Sequence, residues 1–202
     1  SNVRNAKDII TTMFMQSGSS IITESNGVFS SALEDSGSQY DLSSLLSFYT
    51  EFTNTSSDFY SWNKSLPNSQ DFFTSNKLAF YFGYTSEFQS LINKNPNLNL
   101  AIAPMPQMKN SNLKATSGHV TGIAISSFSK NLNTALTAAS LMASGDFASQ
   151  FATALNIAPA RKDLLAKKPG DAYSPMFYSS ALFTKSWLDP SSDDTNDIFR
   201  IM

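Results

Sequence analysis

Residues 71–107 read DFFTSNKLAFYFGYTSEFQSLINKNPNLNLAIAPMPQ, and their apolar runs and breakers predict a strand, a helix and a second strand. Ser69 is placed to cap a short helix before this unit, with Phe72 and Phe73 as its apolar pair. Asn76-Lys77 then leads into the apolar run Leu78–Phe82, which stops at Gly83. A helix that can cap at Thr85 or Ser86 follows, with Phe88, Leu91 and Ile92 at helical spacing. Asn95-Pro96-Asn97 breaks it, and the second strand, Leu98–Ala103, is closed by Pro104-Met105-Pro106. A strand, helix, strand unit of this kind places a crevice at the end of its first strand. A ligand-sized crevice is therefore expected where Leu78–Phe82 ends.

Composition narrows the function classes. A net charge of −2 and a pI near 5.3 supply no basic field, and the lysines are scattered, so nucleic acid is excluded as a partner. No apolar run approaches the roughly 20 residues of a membrane span, and the chain does not start with a signal peptide pattern. Without Cys there are no disulfides, thiolate nucleophiles or thiolate metal sites. A single His with no His/carboxylate cluster argues against a catalytic metal, and no cofactor motif is present. Ser, Asn and Thr are abundant and 16 residues are Phe, a composition that suits sugar or peptide binding and equally suits a Phe-rich core.

Around the central unit the chain alternates helices with turn-rich segments. Asn5–Ser17 reads as an amphipathic helix, with Ala6, Ile9, Ile10 and Met13 on one face and Gly18 as its C-cap. Asn26-Gly27, between Ile21-Ile22 and Val28-Phe29, favours a small surface hairpin. Asp41 caps a helix running to about Thr53, whose stripe is Leu42, Leu45, Leu46, Tyr49 and Phe52. Phe59, Tyr60 and Trp62 lie in the loop that ends at Pro67. Downstream, Gly118–Ile125 alternates like a strand, and helices are expected over 131–143 and 146–155. Their apolar faces (Leu132, Leu136, Ala139 and Met142; Phe147, Phe151 and Leu155) need a partner surface. Ile157–Arg161 is extended because Pro159 disfavours helix before it. A last pair of helices is predicted over Pro175–Trp187 and roughly Asp193–Met202, the second stopping on apolar residues as an excised segment would.

Several fragments, in order, resemble the extracellular solute-binding proteins of family 1, the maltose-binding-protein-like sugar receptors of bacterial ABC importers. Phe73–Phe80 is similar to the family's F-x-x-G-K-x-A-M, with Asn76 in place of Gly and Phe80 in place of Met. Asn tolerates the left-handed backbone that Gly would supply, and Phe keeps its position apolar. Leu98–Pro106 resembles the strand ending in x-P-x-P, and Gly118–Ile125 the glycine-bearing crossing strand. Ala138–Gln150, Ile157–Asp163 and Ser186–Pro190 resemble later family segments. The resemblance covers most of the chain from Asp8 onward and implies an α/β fold, the C-terminal lobe of a type II periplasmic binding protein, with a small sheet surrounded by helices. It further implies that residues 1–202 form a single domain, a second lobe with its hinge-return segments, and that 119–165 packs on the absent first lobe or on a partner chain.

The same resemblance implies a receptor without catalysis. Its ligand would be a sugar or oligosaccharide, and the intact protein would be extracellular or periplasmic, membrane-anchored as a lipoprotein, and paired with an ABC permease. A homodimer of the fragment is a further expected partner state. The candidate ligand residues are Trp62, Tyr84, Thr85, Ser86, Gly118, His119 and Tyr178. Trp62 either stacks on a pyranose ring or plugs an apolar gap beside Tyr60. Tyr84, Thr85 and Ser86 offer hydroxyls and helix-start N–H groups, against a bland reading as caps. His119 is either a cleft contact or a structural hydrogen-bonding group, and Tyr178 is preferred to Phe177 because Phe in a helix is more often core. Two readings compete with the receptor: a carbohydrate-active enzyme fragment, which needs two carboxylates flanking a cleft, and an adhesion or assembly module. The acidic residues instead fall in polar loops and caps (Asp41, Asp71, Asp146, Asp163, Asp193).

Overall fold

The computed structural model describes residues 3–33, 41–109, 111–167 and 169–189. It divides into two compact units, one from Ser1–Leu100, Met105–Ser117 and Thr184–Met202, the other from Ala101–Pro104 and Gly118–Phe183.

The first unit is organised by α1 (Ala6–Ser17), which ends where Gly18 turns left-handed at φ 89° and returns its N–H to Met15 O and Phe14 O. The apolar face of α1 supplies Ile10, Phe14 and Met15 to a core completed by Ile21, Leu45 and Ala115, with Trp187, Met108 and Tyr49 packed around it. Each fully buried side chain of this size contributes about 1.5–3 kcal/mol. The hairpin forms as expected from β1 (Ile22–Ser25) and β2 (Val28–Ser31), antiparallel with Glu24 opposite Phe29. Asn26 and Gly27 sit at φ 52° and 78°, the positive pair that a primed two-residue turn demands. In α2 (Leu42–Glu51), the Asp41 carboxylate accepts from Ser44 N at 2.6 Å, and Leu45 is the residue driven into the core.

The central unit departs from its predicted form. Asn68, not Ser69, caps α3 (Ser69–Thr74), accepting from Gln70 N at 2.9 Å. Asn76 takes φ 60°, so the left-handed residue expected at this position is there. Leu78–Phe82 and Leu98–Ala103 are not strands: neither joins a ladder, and Phe80 is 83% exposed. The predicted helix start at Thr85-Ser86 is a single 3-10 turn, Thr85–Glu87, and α4 (Phe88–Lys94) begins three residues later.

What replaces the missing ladder is a polar seam along α1. Thr11, Thr12, Gln16 and Ser17 are buried together with the apolar residues. Gln16 Nε2 donates to Ala115 O (2.8 Å) and Pro106 O (3.0 Å), while Gln107 both accepts from Ala115 N (3.0 Å) and donates to Ala115 O (3.1 Å). Thr12 and Ser117 bond twice, through their hydroxyls (2.9 Å) and from Ser117 N (3.1 Å). Side-chain amides and hydroxyls thereby satisfy backbone that a sheet would otherwise pair. Regular pairing resumes only at β3 (Thr116–Ser117), parallel to β4 (Thr184–Lys185). Among the described residues the strands form two separate two-stranded ladders, a mixed α/β arrangement without one central sheet.

The second unit contains α5 (Leu132–Met142), α6 (Gly145–Leu155), α7 (Lys162–Leu165) and α8 (Ser174–Ala181). Ser144 caps α6 by accepting from Phe147 N at 3.3 Å, and Asn156 closes it at φ 52°. The faces expected to need a partner are open: Leu136 is 49% exposed and Phe151 51%. The predicted strand Gly118–Ile125 has no ladder, and Val120 is 73% exposed. Arg161 is extended and makes two bonds to the Asp163 carboxylate, 3.0 and 3.1 Å, opening the short helix α7 that periodicity missed. The helix predicted over Pro175–Trp187 ends at Ala181, because Thr184-Lys185 pairs with β3 and Trp187 packs on the first unit's core. The helix predicted over Asp193–Met202 lies outside the described residues.

Candidate functional site

The turn after Phe82 is held from both sides. Asn5 Nδ2 donates to Phe82 O at 3.1 Å, tying the N-terminal end of α1 to the turn. Gly83 lets the turn pack closely: a Cβ there would meet Tyr81 Cε1 at 2.5 Å and Glu87 Oε2 at 2.9 Å and would push these two side chains aside. Tyr81 stacks on Phe73 (5.6 Å between centroids) and its hydroxyl donates to Glu87 Oε2 across the turn. Tyr84 donates its hydroxyl to the Asp8 carboxylate. Burial first, and then the neighbouring carboxylate, push both phenols well above the usual tyrosine range. Beside them Gln70 Oε1 accepts from Arg4 (3.2 Å) and Lys94 (2.9 Å), and Lys94 also reaches Asp71 at 3.1 Å.

This geometry assigns different tasks to the three candidate residues of the turn. The hydroxyl of Tyr84 is committed to Asp8, so its part is to fix the backbone. Thr85 and Ser86 make no hydrogen bond with their hydroxyls among the described residues, and Ser86 is exposed. With Glu87 N bonded to Tyr84 O at 3.0 Å, the turn closes on itself before α4 starts.

Trp62 belongs to another cluster, on the C-terminal turn of α2. It stacks on Phe52 (5.0 Å, 26° between planes) and leans on Tyr49 (5.2 Å). Its Nε1 is buried without a hydrogen-bond partner, a state that costs about 1–3 kcal/mol. Burial pushes the Tyr49 phenol up to about 12. One face of the indole is therefore already spent on protein. In the second unit, His119 is exposed, Gly118 and Tyr178 are half-buried, and Phe177 beside Tyr178 is buried at 5% exposure. Sequence reasoning missed Asn5 and Asp8, whose partners lie 77 and 76 residues away and leave no local signal, and it missed Tyr81 and Glu87, which pair across the turn six positions apart. Among the described residues no group of three His, Cys, Asp or Glu could hold a metal ion, and no helix is long and apolar enough to cross a membrane.

A family model for bacterial extracellular solute-binding proteins matches residues 6–178. The chain belongs to that family. The match runs from the start of α1 to Tyr178 and so reaches into both compact units and covers the turn and all seven candidate residues. Membership places this solute-binding chain among proteins that capture small molecules outside the cytoplasm for transport, a function that is in general not catalytic. No curated protein and no solved structure matches the chain at a significant level.

Proposed function

We propose that the chain is the second lobe, with its hinge-return segments, of a two-lobe receptor that delivers a carbohydrate-like solute to an ABC permease. The family match across residues 6–178 carries this reading. In it the unengaged hydroxyls of Thr85 and Ser86 bond sugar hydroxyls, held in place by Tyr84 on Asp8. The part of the Trp62 indole not covered by Phe52 and Tyr49 stacks on a pyranose ring. Gly118, His119 and Tyr178 are further ligand contacts on the second unit, taken by itself, and the exposed faces of 119–165 are covered by the first lobe or by a second copy of the chain. In the cell the intact receptor is anchored to the membrane surface outside the cytoplasm.

A lobe with half a cleft wall binds weakly, because the contacts that closure would add are missing. Saturation-transfer NMR with glucose and maltooligosaccharides is expected to show transfer to the sugar that disappears in Ser86→Ala and Trp62→Ala. Calorimetry is expected to show no affinity tighter than about millimolar. No transfer from any sugar refutes the carbohydrate assignment, a micromolar affinity refutes the half-site argument, and turnover of chromogenic glycosides favours the enzyme reading instead.

A further inference from the structure

A cavity of about 520 Å3 opens at the C-terminal end of α1, lined by residues that play no part in the candidate site. Its position is remote from the turn. Asn5, which touches Phe82, and Met15, which lines the cavity, are ten residues apart on one helix, about 15 Å along its axis. The volume lies within the range of small-molecule pockets, about 300–1,000 Å3.

The walls come from three separate pieces of the first unit, and each contributes in register. Side chains alternate along a strand, so Ile22 and Glu24 of β1 share one face of the hairpin with Phe29, the cross-strand partner of Glu24. All three line the cavity. The segment after α1 adds Ser19, Ser20 and Ile21, and the segment of β4 and beyond adds Lys185, Ser186 and Trp187. The back of the cavity is core: Met15 is 8% and Ile21 9% exposed. Phe29, at 53%, is left without cover on the side facing the opening.

Two opposite charges stand on this mixed polar and apolar lining without forming an ion pair. The ion pairs of the described residues are Lys7–Asp189, Lys94–Asp71 and Arg161–Asp163. Glu24 and Lys185 enter none of them, although both line the cavity, one on the hairpin and one on β4. A carboxylate and an ammonium that do not pair with each other, on a lining that also carries Phe29 and Trp187, complement a ligand that carries both charges and an apolar body. A neutral sugar would leave both charges unanswered.

We propose that this cavity binds a zwitterion with an apolar side chain, the class of hydrophobic amino acids and dipeptides. The ligand's ammonium meets Glu24, its carboxylate meets Lys185 and the hydroxyls of Ser19 or Ser186, and its side chain covers Phe29 and Trp187. The solute-binding chain thus carries a second site of different chemistry from the sugar turn.

The test is calorimetric titration of the full chain with L-phenylalanine, L-leucyl-L-phenylalanine and N-acetyl-L-phenylalaninamide, which keeps the ring and lacks both charges. Saturable binding of the two zwitterions, at least about tenfold tighter than the blocked compound, is expected. Glu24→Lys and Lys185→Glu each weaken binding by about tenfold or more, and the double reversal recovers it, since the ligand can turn end for end. Both side chains are exposed, so the variants keep the fold, which far-UV circular dichroism verifies. The proposal is overturned by no saturable heat up to about 10 mM of either zwitterion, by equal binding of the blocked compound, or by a double reversal that recovers nothing. Sugar binding uses other residues, so the two assignments stand or fall separately.

Discussion

If Gln16 and Gln107 do the work of a missing ladder, removing them must cost more together than apart. Gln16 is 3% exposed, and Gln16→Leu leaves Pro106 O without its donor while Ala115 O keeps Gln107. Pro106 is exposed, so its carbonyl can turn to water, and the single substitution should destabilise by about 1 kcal/mol, the net value of the hydrogen bond lost. Gln107→Leu orphans the N–H of Ala115, a residue with no exposed surface, at the larger cost of about 2 kcal/mol, and Ala115 O keeps Gln16. In the double variant Ala115 O loses both donors, an orphan absent from either single variant, so the loss should exceed the sum by about 1 kcal/mol. Urea unfolding followed by tryptophan fluorescence isolates this, because Trp62 and Trp187 are the only tryptophans and both belong to the first unit. The midpoint should shift with an unchanged slope. Additivity within about 0.3 kcal/mol, or a Gln16→Leu variant as stable as the parent, refutes the shared-acceptor account.

Two further perturbations probe the same unit. Gly18→Ala places a Cβ 3.3 Å from Leu113 Cδ1 at φ 89°, and should destabilise by about 1 kcal/mol or more in the same urea assay; a neutral result contradicts the left-handed cap. The Tyr49 phenol ionises near 10 when the chain is unfolded and is held to about 12 by burial in the fold. Its contribution is therefore fully present below pH 10 and is lost as pH rises toward 12. Stability measured from pH 9 to 12 should fall less steeply in Tyr49→Phe, and a late component in the 295 nm absorbance titration should vanish with it. Identical pH profiles for the two proteins would remove the burial argument.

The elements that were legible in the sequence are those whose causes lie within a few residues. The stripe and Gly18 of α1, the Asp41 carboxylate of α2, the Asn26-Gly27 turn and the apolar faces of α5 and α6 all act locally. A strand is different, since an apolar run becomes one only where another strand takes up its backbone groups. Leu78–Phe82 and Leu98–Ala103 have the right residues and no such neighbour. Pro106 O and Ala115 O go to Gln16 and Gln107, which any reading by hydropathy counts as surface residues. The end of α8 failed likewise, because its last predicted turn is claimed by a ladder to residues almost 70 positions earlier.

The same distinction separates the two halves of the candidate site. Gly83 to Ser86 could be found from the end of an apolar run, but not which of its hydroxyls are at liberty. Tyr84 is the most conspicuous ligand group in the turn by sequence, yet Asp8, 76 positions away, holds its hydroxyl. Tyr81 on Glu87 holds the other flank. With both flanks fixed, the smaller and less conspicuous Thr85 and Ser86 carry the hydroxyls that bond nothing among the described residues, and the proposed sugar contact rests on them. Tyr84→Phe would then loosen the turn and weaken sugar contact indirectly, whereas Ser86→Ala would remove a contact and leave the turn intact. Hydrogen exchange at 83–87 should consequently quicken in the first variant and stay unchanged in the second, and a Tyr84→Phe turn that exchanges at the parent's rate would return Tyr84 to the list of direct ligands.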